Sequence, residues 1–316
     1  MGVAEQAVLQ PNRTHGSIRV YAILLFCVTC YASTFVFSAL LVREFHPVAL
    51  TLFRLISINA FLIVVGWRYI KKEKIALKLL IILAVAGFIG ISLSHWSLHH
   101  GLVYTDPITA ALIYALGPLL TSLITYFYLK ERRRIYFWLG ILTSLIGVYF
   151  VVSKGSGFAL QVGKGELFIG LTILTFSVYL VIVQYLSKYL EPMVITVYTS
   201  LFGLLLFFPF VRIEHIQTSL NIDIKLWVLL IVSAIVTNGL CTMLWNGAVR
   251  QVGAATSSLF INVEPFAAMI IGYIILHQIV QPIQLIGSIF IIIGVIMGTR
   301  LGKKVEKTPN IEQYNT

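Results

Sequence analysis

The chain has 316 residues, of which 59% are apolar and only 11% carry a charge, and its formal net charge is +11. Soluble domains are typically about 25% charged and about 45–50% apolar, so a conventional soluble enzyme is excluded, as is a disordered or collagen-like chain. A net positive charge is typical either of nucleic-acid binding or of membrane orientation, and its distribution along the chain decides between the two.

Ten apolar runs of about 20 residues, the length that crosses a bilayer as a helix, follow one another along the chain. They cover 214 residues with only two charged side chains, Arg54 and Glu264, whereas the other 102 residues hold 33 charges. Charged side chains and unpaired backbone groups are costly in lipid. The sequence therefore predicts an all-α polytopic membrane protein with ten transmembrane helices over residues 20–42, 47–67, 79–101, 107–129, 135–153, 167–187, 192–211, 226–247, 253–276 and 282–299.

Lysine and arginine are unevenly divided between the two ends of these spans. Seventeen lie on the side of the N-terminus and five on the opposite side, while Arg54 lies within a span. The positive-inside rule therefore predicts cytoplasmic termini, which agrees with an even number of spans. We expect a multi-pass protein of the plasma or inner membrane, in contact with the lipid bilayer and not with nucleic acid. The N-terminal stretch lacks the pattern of a cleaved signal peptide.

The chain also repeats itself. Residues 104–152 align without a gap on residues 251–299, which pairs Pro118 with Pro265, Gly140 with Gly287 and Gly147 with Gly294. Each half has five spans, an odd number, so the second half is inverted, and inverted repeats are associated with alternating access. The predicted organisation is an N-terminal tail at 1–19, a first repeat at 20–153, an outer linker at 154–166, a second repeat at 167–299 and a basic C-terminal tail at 300–316.

Three long motifs resemble the EamA-type members of the drug/metabolite transporter superfamily. They are HPVALTLFRLISINAFLI at 46–63, the run from Gly101 to Val151 with its central ALGPLL, and the run from Gly253 to Gly298 with its Glu-Pro at 264–265. The resemblance implies ten spans in two repeats and the transport of a small metabolite. This chain departs from the family pattern after the ninth span, where Gln278 stands in place of the usual glutamate.

Arg54 and Glu264 are the first candidates for the mechanism because they are the only charges within spans. Their repeat mates are Thr199 and Gly117, so each charge occurs in one half only. Arg54 lies seven residues after Pro47, from where it reaches either the outer interface or helix carbonyls, which would make it structural. Glu264 lies beside Pro265 near mid-span, where it either binds a substrate amine or a coupling proton or packs as a protonated group.

Further candidates are polar residues within spans and the two mid-span prolines. The pathway candidates are completed by Tyr114, Asn262, Asn246, His95 and His99, and the hinge or kink candidates are Pro118 and Pro265. His95 and His99 share a helical face, but without a companion ligand we expect no metal there. Cys27, Cys30 and Cys241 are interpreted as apolar packing. The glycine-rich loop at 155–165 lacks phosphate-loop spacing, so no nucleotide site is predicted there. The sequence also predicts no cofactor and no catalytic residue.

Three classes of function fit these features. The first is a secondary active transporter, an exporter or exchanger that moves a small metabolite through a central cavity by alternating access. The family resemblance favours an amino acid or related compound, with a proton or counter-substrate as partner. The others are a channel or facilitator without ion coupling, and a membrane-embedded enzyme, for which the spans contain too few catalytic side chains. The sequence leaves the oligomeric state open.

Overall fold

The computed structural model describes residues 18–70, 75–129, 134–153, 163–219, 221–252, 260–261 and 263–301. The described residues are helical apart from short connections. The helices are α1 Ile18–Leu41, α2 Pro47–Ile70, α3 Leu77–Tyr104, α4 Pro107–Tyr114, α5 Gly117–Leu129, α6 Ile135–Ser153, α7 Lys164–Leu186, α8 Pro192–Phe207, α9 Ile213–Gln217, α10 from Ile224 to Val252, α11 Glu264–Leu276 and α12 Pro282–Ile296.

Nine helical stretches in the described part of the chain are long and apolar enough to cross a membrane. They correspond to all of the predicted spans except the ninth, and the fourth is made of α4 and α5 together. The second part of the ninth span is the shorter apolar helix α11, while residues 253–259 and 262 lie outside the described residues. The all-helical prediction is confirmed, and the count of ten spans agrees with this architecture.

The two halves match in their irregularities as well as in their helices. α3 contains a π-helical segment at Phe88–Leu93, and α10 contains one at Ile235–Leu240, at the same offset of 147 residues that aligns 104–152 with 251–299. α5 begins at Gly117 and ends at Leu129, and α11 begins at Glu264 and ends at Leu276. Both ends of the two helices are again related by the offset of 147 residues. The register found in the sequence therefore extends upstream to the third and eighth spans.

The halves meet along α6 and α12, where glycines bring the two backbones together. A Cβ added to Gly140 would lie 2.5 Å from the carbonyl oxygen of Gly294, and one added to Gly147 would lie 2.6 Å from that of Gly287. Because Gly140 corresponds to Gly287 and Gly147 to Gly294, the two contacts exchange under a two-fold rotation. The helices are antiparallel, since the lower number of one pairs with the higher number of the other, as an inverted repeat requires.

The axis of this rotation passes between Ser144 and Ile291, which are each other's repeat mates. The Ser144 hydroxyl donates to the carbonyl oxygen of Ile291 at 3.2 Å. On either side, α1 packs against α11 and α10, and its counterpart α7 packs against α5 and α3. This arrangement surrounds a buried cluster built from α1, α3, α4, α7 and α11, with Phe35, Ala110 and Ile173 among its members. Of the functional candidates, Tyr114 packs against this cluster.

We expect Gly147→Ala to lower the midpoint of thermal unfolding, because the added methyl must displace the Gly287 backbone. Overpacking of this kind costs about 1–3 kcal/mol. Gly170→Ala is the matched control: no atom lies within 4 Å of its added Cβ, so it should be neutral or stabilise by about 0.5–1 kcal/mol. Scanning fluorimetry of the purified proteins compares them, and equal effects of the two changes would contradict the close contact.

Candidate substrate pathway

Glu264 occupies the first turn of a helix that starts inside the span. α11 begins at Glu264, with Pro265 in its first turn, and Val263 precedes it as the N-cap. The N-terminus of a helix carries partial positive charge, which favours a carboxylate there. The side chain is partly buried. Glu264 is therefore an acid at the end of a half-helix, the place where discontinuous transmembrane helices present polar groups to ligands in transporters.

Aromatic side chains from the other half surround this position. Glu264 is an electrostatic neighbour of Tyr31 on α1 and of Tyr114 at the end of α4. The ring of Tyr114 lies 5.4 Å from that of Phe35 and 5.9 Å from that of Phe176. Tyr114 and Glu264, which were predicted as pathway residues on separate grounds, are thus brought into one neighbourhood between α1, α7 and α11.

Arg54 lies in a second polar group, between α2, α3 and α10. Its side chain is completely buried, and its Nη1 donates to the Ser233 hydroxyl at 3.2 Å. The alternative in which Arg54 reaches the outer interface is wrong, because no part of the residue is exposed. The guanidinium acts electrostatically on His95 and His99 of α3. No sequence pattern marked Ser233 as a candidate functional residue.

The three histidines of α3 separate into two directions. The rings of His95 and His99 face the same side at a centroid distance of 6.2 Å, and His99 Nδ1 lies 2.7 Å from the Thr51 hydroxyl. His100 instead turns outwards: its ring is 4.4 Å from that of Trp96, and its Nδ1 lies 3.0 Å from the Trp96 carbonyl oxygen. No group of three ligands suited to a metal ion occurs among the residues described.

Both prolines mark breaks in their spans. The fourth span turns at residues 115–116, between α4 and α5, and Pro118 follows as the second residue of α5. Since proline has no N–H to donate, the carbonyl four residues earlier, at Tyr114, loses its usual helical partner. Pro265 holds the equivalent place in α11. Of the other candidates, Asn262 lies outside the described residues, and so does the side chain of Asn246.

A polar network ties the outer end of the fourth span to the connection between α11 and α12. Asp106 Oδ1 accepts hydrogen bonds from the Thr109 backbone N–H at 2.8 Å and from Gln278 Nε2 at 2.6 Å. The first bond caps the N-terminus of α4, with Asp106 as the N-cap residue. Gln284 Nε2 in turn donates to the Thr109 hydroxyl at 3.3 Å. The amide at position 278 suits this partner, because a glutamate there would face the Asp106 carboxylate.

Two cavities of about 600 and 480 Å³ open at this same end of the bundle. The first adjoins the network, with Asp106 and Gln278 in its wall, and the second is lined by His46 and His100. His46 stacks on His215 at 4.1 Å, and desolvation, with the nearby charges of His215 and His100, lowers its pKa below the usual value. Glu264 is not among the residues that line these two cavities.

The comparison with known families decides the identity of this architecture. The model of the EamA-like transporter family matches residues 18–153 and 163–300, once for each half. The chain belongs to the EamA-like transporter family. It is therefore a multi-pass membrane transporter, and the family resemblance noted in the sequence is confirmed.

Several proteins are similar to this chain over most of its length. It is 29% identical over 305 residues to the uncharacterized transporter YyaM of Bacillus subtilis, covering 95% of this chain and 97% of the relative. It is 24% identical to a WAT1-related protein of Arabidopsis thaliana, covering 72% and 70%. A solved crystal structure superimposes with a TM-score of 0.62 at 19% identity, covering 92% of this chain and all of the other, which shows a shared fold.

We expect Gln278→Glu to destabilise the outer end at neutral pH. The introduced carboxylate would replace a donor 2.6 Å from Asp106 with a like charge, and like charges at that distance disfavour joint ionisation. The loss should shrink as the pH falls below about 5, because one of the two carboxyls then takes up a proton. Thermal unfolding against pH measures it, with exposed Gln251→Glu as the control. Equal stability of the two variants at pH 7 would contradict the network.

Proposed function

We propose that this protein is a secondary active transporter, an exporter or exchanger, that moves an amino acid or related small metabolite by alternating access. The observation that carries the proposal is the two-fold relation of the halves, with the same helix breaks and the same π-helical segments in each. Two similar bundles that pack around one axis can exchange conformations, so that the site between them faces each side in turn.

The breaks at Pro118 and Pro265 act as hinges in this proposal. Each lies in the middle of a span, where α5 and α11 begin, and each leaves a backbone carbonyl without its helical partner. The half-helices can therefore tilt with little loss of hydrogen bonding. The outer network of Asp106 and Gln278 joins the two broken spans at one end, so its opening would accompany the movement.

Glu264 is proposed as the group that couples transport to a proton or binds the amine of the substrate. It is the only acidic side chain within the predicted spans, and it is partly exposed within the aromatic neighbourhood of Tyr31 and Tyr114. An ionisable group in the membrane is a functional hypothesis by default. Its position at a helix N-terminus favours the ionised form, and its burial favours the protonated one.

The proposed setting is the cell membrane, with both termini in the cytoplasm. Seventeen lysines and arginines on the N-terminal side against five on the other support this orientation. The cavities described above then open to the outside, and the interface of α6 and α12 remains the fixed contact between the halves.

Counterflow tests the proposal. Proteoliposomes are preloaded with single amino acids or other metabolites and scored for uptake of the labelled compound, with and without a pH gradient. We expect one class of compound to support saturable counterflow, and Glu264→Gln to remove its dependence on pH or to reduce the rate at least tenfold. The variant keeps the shape of the side chain, so normal expression is expected.

Glu214→Gln is the matched control, because Glu214 is an exposed carboxylate on α9 outside the spans. It should transport as the unchanged protein does. Flux that neither saturates nor exchanges would instead identify a channel. Unchanged rate and pH dependence in Glu264→Gln would remove Glu264 from the mechanism.

A further inference from the structure

Arg54 presents an unused hydrogen-bonding edge inside the protein. Its Nη1 is held by Ser233, but neither Nε nor Nη2 has a hydrogen-bond partner among the described residues, although both atoms are fully buried. These two nitrogens lie on the same edge of the guanidinium group, where their N–H bonds point in parallel. That edge is the one that binds a carboxylate through two hydrogen bonds at once.

No carboxylate among the described residues pairs with this edge. The sequence has twelve acidic residues, and Glu264 is the only one within the spans. Glu264 is not among the charges that act on Arg54. The structure does not describe Glu5, Glu73, Glu131, Glu306 and Glu312, and the topology predicted from the sequence assigns all five to the tails and loops of the N-terminal side. Arg54 lies at the other end of its span, about 10 Å of helix from Pro47.

A buried charge without a counter-ion is costly, and proteins keep such a group where a ligand completes it. The cost here is not explained by the fold, because the repeat mate of Arg54 is the uncharged Thr199, which holds the same place in α8. Thr199 is satisfied by donating to the Ile195 carbonyl oxygen at 2.7 Å. The second half therefore builds the same packing without a charge.

A neighbouring imidazole offers the complementary atom. The Thr51 hydroxyl donates to the Pro47 carbonyl oxygen at 2.8 Å, so its single hydrogen is already used and it accepts from His99 Nδ1 at 2.7 Å. In neutral His99 the proton then lies on Nδ1, and Nε2 is a bare acceptor. This Nε2 is buried and has no donor among the residues described. The surroundings of Arg54 thus hold, besides its two free donors, the acceptor His99 Nε2 and the unpartnered His95 Nδ1.

We propose that this cluster of Arg54, His99, Ser233 and Thr51 binds the α-amino acid group of the transported substrate. The substrate carboxylate accepts hydrogen bonds from the Nε–H and Nη2–H groups of Arg54, and an N–H of the α-amine donates a hydrogen bond to His99 Nε2. The inference rests on the proposed function and adds the substrate class to it. It also assigns the α-amino acid end to this cluster rather than to Glu264, which remains free to exchange a proton.

The cluster is closed in this conformation, and the adjoining helices show where it opens. Ser94 directly follows the π-helical segment Phe88–Leu93 and His95 comes next, while Ser233 lies two residues before the segment that begins at Ile235. π-helical turns are weak points at which a helix can change register, and they are frequent at functional sites. His95 itself is partly exposed, so free space reaches the edge of the cluster.

Ligand-induced thermal stabilisation of the purified protein tests the site directly. The probes are the proteinogenic L-amino acids, each at millimolar concentration, followed by the amide and the deaminated acid of the best one. We expect the best amino acid to raise the unfolding midpoint by about 3 °C near saturation. The amide, which lacks the carboxylate, should not raise the unfolding midpoint, and neither should chloride. The deaminated acid should raise the midpoint by less than the amino acid does.

Arg54→Met should abolish this rise. Without ligand, its unfolding midpoint should equal or exceed that of the unchanged protein, because an unpaired buried charge has been removed. A merely structural arginine would instead lower that midpoint. Arg54→Lys should bind at least tenfold more weakly, because an ammonium cannot form two parallel bonds, and it serves if the methionine variant does not fold. Arg212→Met, which removes an exposed arginine, should respond as the unchanged protein does.

The inference is overturned if no amino acid stabilises the unchanged protein, if the amide stabilises it as well as the acid, or if Arg54→Met or Arg54→Lys retains full binding. Counterflow of a solute that is not an amino acid would then leave the proposed transport intact and remove only this site. Stabilisation by an amino acid that depends on Arg54, without counterflow of any compound, would support the site and remove the transport mechanism.

Discussion

The contact between α6 and α12 is the constraint on which the rest of the structure depends. Gly140 and Gly147 meet Gly294 and Gly287 so closely that a single added methyl would collide with the opposing backbone. The contact is antiparallel and is related to itself by a two-fold rotation through Ser144 and Ile291. In lipid, helices associate through such close packing of small residues rather than through burial of apolar surface. Fixing these two helices places the remaining four of each half around a shared central space.

Function departs from this symmetry. The packing of the two halves is equivalent, yet Arg54 and Glu264 each occur in one half only. The equivalent positions of the other half hold Thr199 and Gly117. Each charge lies where the helices are irregular: Arg54 and its partners lie beside the two π-helical segments, and Glu264 begins a half-helix. In the proposed mechanism, the symmetric framework supplies two conformations of similar energy, and the unmatched charges determine what the protein binds.

Much of the fold was predictable from the sequence because lipid imposes a simple rule on charge. The positions of the nine spans that the structure describes in full and the break at Pro118 agree with these predictions. The depth and direction of single side chains were not predictable. Arg54 was compatible with the outer interface until its full burial and its bond to Ser233 were seen. Gln278 marked only a departure from a family pattern, and its meaning came from Asp106, which lies 172 residues away.

Alternating access itself is tested most directly by the width of the outer opening. Spin labels are placed at the exposed residues Val103 on α3, which lines the first cavity, and Ile279, which follows Gln278 of its wall. Pulsed electron resonance in proteoliposomes then gives their distance distribution. We expect two populations whose proportions change when a transported compound is added. A single distribution that no transported compound alters would contradict the exchange of the two halves between conformations.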